Sequence, residues 1–299
     1  MFRRMGLFLV VNILVVSTIG LVMNLLGVSP YLSANGINYQ SLLIFCLMFG
    51  MGGSFISLSI SKWMAKRAYR MQEIAPHDAE IGYIATSVHQ FAKMAGIEKM
   101  PEVYIYDSPE INAFATGPSK NNSLVAVSAG LARNMSRDEV EGVLAHEVAH
   151  IANGDMVTMA LAQGVLNAFV MFLSRVGAML IDQALRGDDE EGEGGQGLGF
   201  FAHMMLVYAL DMFFGFLCMP ILMWFSRFRE FRADDGGAKL AGREKMIAAL
   251  EKLKGSVEQV DNKEPHLQAF KISDKSSFLA LFSSHPPLDK RISALRSNT

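Results

Sequence analysis

Apolar residues run from Met5 to about Val28, interrupted only by polar residues such as Asn12, Ser17, Thr18 and Asn24, and again from Leu42 to about Ile60. Each run meets the ~20 residues an α-helix needs to cross the hydrocarbon core of a bilayer. A cleaved signal peptide is the alternative for the first run. Its apolar stretch exceeds the ~7–15 residues of a signal h-region, however, and no small-residue cleavage site follows. A third run, Met156 to Ile181, carries Gln163, Asn167, Ser174 and Arg175, and a fourth, Leu198 to Phe225, carries His203 and Asp211. Buried helices of a soluble core are the alternative for these two. If both span, Asn167 and Asp211 lie at similar depth, which fits an interhelical hydrogen bond better than a polar cavity.

The segments between the runs have a different rhythm. Ile81, Ile84, Val88 and Phe91 recur at helical spacing between His77 and Gly96. Short β-branched or aromatic stretches follow at 101–107, 111–117 and 123–130, and the Ser-Lys-Asn-Asn turn between the last two predicts a hairpin. Ser136 and Glu139 form a capping-box pattern opening a helix through Val140, Val143 and Leu144, which Asn153-Gly154 should end. Helical patterns return around Lys245–Leu253 and after Pro286-Pro287, with a polar stretch at 255–275 that reads as loop. The predicted organisation is an N-terminal membrane hairpin at 1–63, a polar α/β half at 64–155, a second apolar hairpin at 156–225 and a helical half at 226–299. The predicted fold class is mainly α with a small antiparallel β element, in a four-span helical membrane protein.

Composition alone hides this. The 299 residues are 51% hydrophobic and 19% charged with a net charge of −2, but residues 1–60 contain only two charged side chains, Arg3 and Arg4. So long a stretch without charge excludes a wholly soluble protein. The balanced charge argues against nucleic acid as a partner, and Cys46 and Cys218, both inside apolar runs, suggest neither a disulfide nor a thiolate metal site. Basic residues flank the runs on one side: Arg3 and Arg4, then Lys62, Lys66, Arg67 and Arg70, then Arg227, Arg229 and Arg232. Residues 29–41 carry no charge, and 182–197 are predominantly acidic. The positive-inside rule therefore places both termini and the polar segments in the cytoplasm. The glycine-rich acidic stretch 187–197 reads as a solvated loop and lacks the ligand alternation of an EF-hand.

The capped helix carries His146-Glu-Val-Ala-His150. Histidines four apart project from one helix face and can share a tetrahedral zinc, with Glu147 beside them as general base. Five-residue motifs also arise by chance, and two helix histidines can be ordinary surface groups. A second cluster, Arg229-Glu-Phe-Arg-Ala-Asp234, strengthens the metal reading: Glu230 supplies a candidate third ligand, and Asp234, one turn on, a candidate acceptor for the free ring N–H of a ligand histidine.

Together with INAFATG (111–117), SSHPPLDKRISAL (283–295) and the GGSF segment after position 51, these stretches resemble the HtpX-type bacterial membrane metallopeptidases, heat-shock proteases related to the prenyl-protein CAAX endopeptidases. The resemblance spans essentially the whole chain and implies that the four-span protein carries a cytoplasmic gluzincin-like zinc metallopeptidase domain. It implies one zinc per chain held by His146, His150 and Glu230, Glu147 as base, and a cytoplasmic active site in the inner membrane of a Gram-negative bacterium. It further implies a stress-linked role in quality control, with misfolded membrane proteins or unfolded polypeptides as substrates and other quality-control proteases as candidate partners. His285 matches a family histidine near the metal and could stabilise an oxyanion, or it could simply precede a helix opened by two prolines. Asn112, Ala113, Phe114 and Ala115 match the family's edge strand, on which an extended substrate could pair through its backbone; a plain structural strand is the alternative. His150 lies six residues before the third run and Glu230 five after the fourth, so at ~1.5 Å per residue the zinc is expected within roughly 10–15 Å of the cytoplasmic interface. The rival readings are a transporter with a structural zinc and a non-catalytic zinc-stabilised membrane scaffold.

Overall fold

A computed structural model describes residues 38–186, 198–263 and 283–297. The first apolar run and the acidic loop at 187–197 lie outside the described residues. The elements are α1 (Tyr39–Ala68), β1 (Gln72–Glu73), α2 (Gly82–Met94), β2 (Glu102–Tyr106), β3 (Ala113–Ser119), β4 (Asn122–Ser128), α3 (Ala129–Asn134), α4 (Arg137–Asn153), α5 (Asp155–Arg186), α6 (Phe200–Ala241), α7 (Arg243–Lys263) and α8 (Leu288–Ser297). The chain is mainly helical, and among the described residues α1, α5 and α6 are long and apolar enough to cross a membrane.

Two compact units divide it. One comprises residues up to 56 and 160–219. In it α1 and α5 meet where side chains are small: a Cβ added at Gly50 would lie 2.5 Å from the backbone nitrogen of Ala168. Leu43, Cys46, Phe172 and Val176 are buried around that crossing. Small residues permit such approach between helices in lipid, where no hydrophobic driving force separates helix from solvent.

The other unit comprises 57–159 and 220–299. Its sheet has the order β1-β2-β4-β3. The hairpin of β3 and β4 is antiparallel as the Ser-Lys-Asn-Asn turn predicts, but β2 pairs with β4 in parallel, Val103 opposite Val125. The sheet is therefore mixed, correcting the expected antiparallel element. The cause is the connection at 107–112, which carries the chain past the place beside β2 to the outer edge. When the hairpin folds back, β4 fills that place running in the same direction as β2. Ser128 holds the connection: its buried hydroxyl donates to the Glu110 carbonyl (2.6 Å) and accepts from the N–H groups of Asn112 (3.1 Å) and Leu131 (3.0 Å), the last capping α3.

Beneath the sheet, α4 begins with the expected capping box of Ser136 and Glu139 and ends at Gly154 in the left-handed conformation (φ 66°). Its Val140, Val143, Leu144, Val148 and Ile151 pack with Ile84, Val88 and Phe91 of α2 and Val103, Val125 and Val127 of the sheet. The sequence reading ends a helix near Leu253 and assigns 255–275 to loop; α7 instead continues to Lys263. Polarity is not itself a helix stop, and neither glycine nor proline falls between Ser256 and Lys263.

The end of α1 is tied to the sheet by charge. Lys62 and Lys66 reach the Glu102 carboxylate at 2.8 and 2.6 Å. Partial burial resists ionisation of Glu102, but the two ammonium groups outweigh it and bring its pKa down to about 2. The stabilisation from a depressed carboxylate is present above the unfolded value, near 4.5, and disappears as the pH falls towards 2. Glu102→Gln is expected to lower the Tm near neutrality, and the gap from the parent should close between pH 4.5 and 2 in thermal scans.

Candidate active site

The one-turn spacing on α4 directs both imidazoles towards α6. A Cβ on Gly237 would lie 3.1 Å from the backbone nitrogen of His146, and one on Gly236 would lie 2.8 Å from Ala149 Cβ. These two glycines let α6 approach α4 closely enough for Glu230 and Asp234 to reach the histidines. His146 Nε2 and His150 Nε2 are 3.1 Å apart, with Glu230 Oε1 3.4 Å from His150 Nε2 and Glu230 Oε2 3.6 Å from His146 Nε2.

Each imidazole is held from behind. His146 Nδ1 faces Asp234 Oδ1 at 3.0 Å, and His150 Nδ1 faces Asp155 Oδ2 at 2.7 Å. With Nδ1–H donated to a carboxylate, each Nε2 presents a lone pair to the other and to Glu230. Glu230 Oε2 is buried and makes no aligned hydrogen bond, although His285 Nδ1 lies 2.8 Å away and Arg291 Nη1 3.2 Å. Three convergent acceptors with an orphaned buried oxygen fit a cation. Bonds of about 2.0–2.1 Å in a tetrahedral zinc site would separate its ligand atoms by about 3.3–3.4 Å, close to the distances here. Among the described residues, His146, His150 and Glu230 are the group whose donor atoms converge in this way.

The electrostatics agree. Burial disfavours a charged His150, yet Asp155 and Glu230 outweigh it and raise its pKa to about 10; the same opposition, with Asp234 and Glu230, raises that of His146. Burial likewise resists ionisation of Glu230, which lies five residues beyond the apolar run, but its histidine neighbours hold it far below the ordinary carboxylate range. The pocket is built for positive charge.

Glu147 is half-buried and burial raises its pKa, opposed by the neighbouring histidines and the nearby backbone of Ala115. Ala115 belongs to β3, the outer strand of the sheet. The Ser128 N–H donates to the Asn112 carbonyl at 2.9 Å. Antiparallel alternation then bonds Phe114 to β4 and turns the N–H and C=O groups of Ala113 and Ala115 outward. Asn112 is thus committed to the sheet, whereas Ala113 and Ala115 form its outer edge among the described residues, Ala115 near Glu147. His285 is exposed on the approach to α8 and reaches the cluster through Glu230. His146, His150, Glu230, Asp234 and His285 therefore lie together, with Ala115 beside Glu147, whereas Asn112 is bound to Ser128 and Phe114 packs on the other face of the sheet.

Three residues were missed. Asp155 follows the helix-ending Gly154 and behaves towards His150 as Asp234 does towards His146. Arg229 donates to the Asp155 carbonyl at 2.9 Å. Arg291 is buried, donates to both Asp234 oxygens at 2.6 and 2.8 Å, and places Nη2 3.4 Å from His146 Nδ1. A signal for it existed: Arg291 shares the apolar face of α8 with Ile292 and Leu295. Arg291→Ala would strip the buried Asp234 of its guanidinium partner and leave it only the His146 Nδ1–H. The expected cost is about 3–5 kcal/mol of stability and about 10–100-fold in metal affinity, checked by thermal unfolding and chelator competition. Lysine should restore little, because it cannot make the forked contact.

The model of peptidase family M48 matches residues 78–299, which contain every one of these groups. The chain belongs to this family. Its M48 relatives include proteins named "Protease HtpX" from Shewanella oneidensis and Shewanella denitrificans, each 52% identical to it over 99% of its length and 99–100% of theirs. The likeness to HtpX-type enzymes expected from the motifs is thereby confirmed, and the chain is a metalloprotease, a hydrolase. The crystal structure of S. mikatae Ste24p has the same fold, with a TM-score of 0.60 at 18% identity; the match covers 96% of this chain and 66% of that one. Membership in M48 implies a metal, which the fit of the three donors supports.

Proposed function

We propose that this M48 protease is a zinc endopeptidase of the bacterial inner membrane, with one zinc held by His146, His150 and Glu230, and that it cleaves misfolded or damaged membrane proteins from the cytoplasmic side. The observation that carries the reading is the convergence of the three donors beside Glu147 and the outer edge of β3. An extended polypeptide can pair with Ala113 and Ala115 through its backbone, which holds a carbonyl at the centre with little demand on sequence. Zinc bound there would polarise that carbonyl and acidify a water molecule. Glu147 takes the proton from the attacking water and passes it to the departing amine, so the C–N bond breaks as the new C–O bond is kept. His285, exposed and within reach of the centre, donates to the oxyanion that forms on the carbonyl oxygen. Asp234 and Asp155 hold the two imidazoles in the tautomer that ligation needs.

Three protein donors leave a coordination position open, which favours an enzyme over a scaffold; a structural zinc site is usually closed by four. The three described apolar helices, the first apolar run of the sequence and the basic flanks support four spans with both termini inside. In vesicles containing the purified chain, a denatured membrane protein should be cleaved when presented on the side of the C-terminus, and a tag within 187–197 should be accessible from the other side. Cleavage from the tag's side would overturn the topology, and ion flux without cleavage would favour the transporter.

A further inference from the structure

The outer edge of β3 lies beside an aromatic cluster that proton transfer and metal binding do not use. Phe114, between the outward-facing Ala113 and Ala115, is partly buried and lies 5.4 Å from the ring of Tyr69 and 5.9 Å from that of Tyr106. Tyr69 and Tyr106 are 5.0 Å apart. Tyr106 is almost fully buried and forms the floor, whereas Tyr69 remains 51% exposed. Tyr69 is held in place by the end of α1: its N–H donates to the Ala65 carbonyl, the Met71 N–H donates to that of Lys66, and Arg70 between them takes φ 46°, a left-handed conformation unusual for arginine.

We propose that Tyr69 and Phe114 form an aromatic subsite that selects a large apolar side chain in the substrate, within two residues of the cleaved bond. The inference rests on the edge-strand reading above. Side chains alternate between the two faces of a strand, and residues directly opposite across paired strands share a face with Cβ atoms about 4.5–5.5 Å apart. Ala113 and Ala115 pack towards the α4 side of the sheet, while Phe114 joins Tyr104, Tyr106, Leu124 and Ala126 on the opposite side. The substrate residue opposite Phe114 therefore presents its side chain on the face of the sheet that carries Phe114 and the half-exposed Tyr69. Its neighbour opposite Ala115 is the one brought to Glu147, so selection acts next to the chemistry. An apolar side chain covering Tyr69 removes both surfaces from water; a small or charged one gains nothing there. Segments buried in a folded membrane protein are rich in such side chains, and unfolding exposes them.

Mapping the cut sites in a denatured protein by mass spectrometry should show large apolar residues enriched at one position within two residues of the cut. For two peptides differing only there, phenylalanine against alanine, the ratio of kcat/KM should exceed about tenfold and collapse towards unity in Tyr69→Ala and in Phe114→Ala. Zinc content and Tm serve as controls for folding, and Phe114→Leu replaces the alanine variant if that fails to fold. No enrichment in the parent, or a ratio unchanged in both variants, overturns the subsite. So does a Tyr69→Ala defect confined to vesicle insertion, which would make Tyr69 an ordinary interfacial aromatic. Peptides N-methylated along the backbone separate the two readings: undiminished cleavage defeats the edge strand itself, whereas lost cleavage with an unchanged ratio defeats the subsite alone.

Discussion

Replacing Glu147 with glutamine is expected to lower kcat by about 10²–10⁴-fold, the usual contribution of a positioned general base, while one metal per chain remains bound. Glutamine keeps the size of glutamate and a carbonyl oxygen beside the Ala115 backbone. It therefore preserves the contact between α4 and the edge strand, and KM should change little. What it cannot do is take a proton from water and return it to the amine. Metal retention follows because the convergent donors are His146, His150 and Glu230, and Glu147 is not among them. Turnover of a denatured membrane protein and metal content by elemental analysis check the two halves. Full activity in the variant would sink the assignment of the base. Loss of metal together with activity would instead place Glu147 among the groups that hold it.

Much of this centre is legible from chain spacing, because a helix turns a four-residue interval into a shared face. That rule yields His146 with His150 and Glu230 with Asp234, and the capping box with Gly154 fixes where the first pair stands. Asp155 escapes because it reaches His150 by packing at a helix junction rather than by periodicity. Arg291 escapes for a different reason: its partners are 57 and 145 residues away, and only its place among apolar residues of α8 marks it as buried. Gly236 and Gly237 show the same limit, since their value lies in how near another helix comes. The hairpin of β3 and β4 is written in its turn, but nothing in the alternation of β2 says that β4 would lie beside it in parallel. The sheet order that exposes Ala113 and Ala115 is therefore a property of the connection at 107–112, secured by Ser128.

Stripping the metal with a chelator is expected to abolish cleavage, and zinc should restore it while expelling protons at neutral pH. Two lone pairs 3.1 Å apart, facing a buried carboxylate, cannot remain without a compensating positive charge. In the metal-free chain protons supply it. The pKa values of His146 and His150 are raised, the latter to about 10, while Glu230 stays ionised. Metal must displace those protons, so apparent zinc affinity should climb with pH through neutrality towards 10, by about tenfold per unit for each proton displaced. The stability of the stripped chain should move the other way. A histidine whose pKa rises on folding stabilises fully below its unfolded value, near 6.5, and that contribution is lost as the pH rises towards 10. The gain in Tm on adding zinc should therefore be largest on the alkaline side. Calorimetric titration of zinc in two buffers of different ionisation heat counts the protons, and thermal scans of chelated and zinc-loaded protein from pH 6 to 10 test the opposing trends. An affinity independent of pH across that range would mean the donors meet the metal unprotonated, and the carboxylates behind them would then have to be neutral when the site is empty.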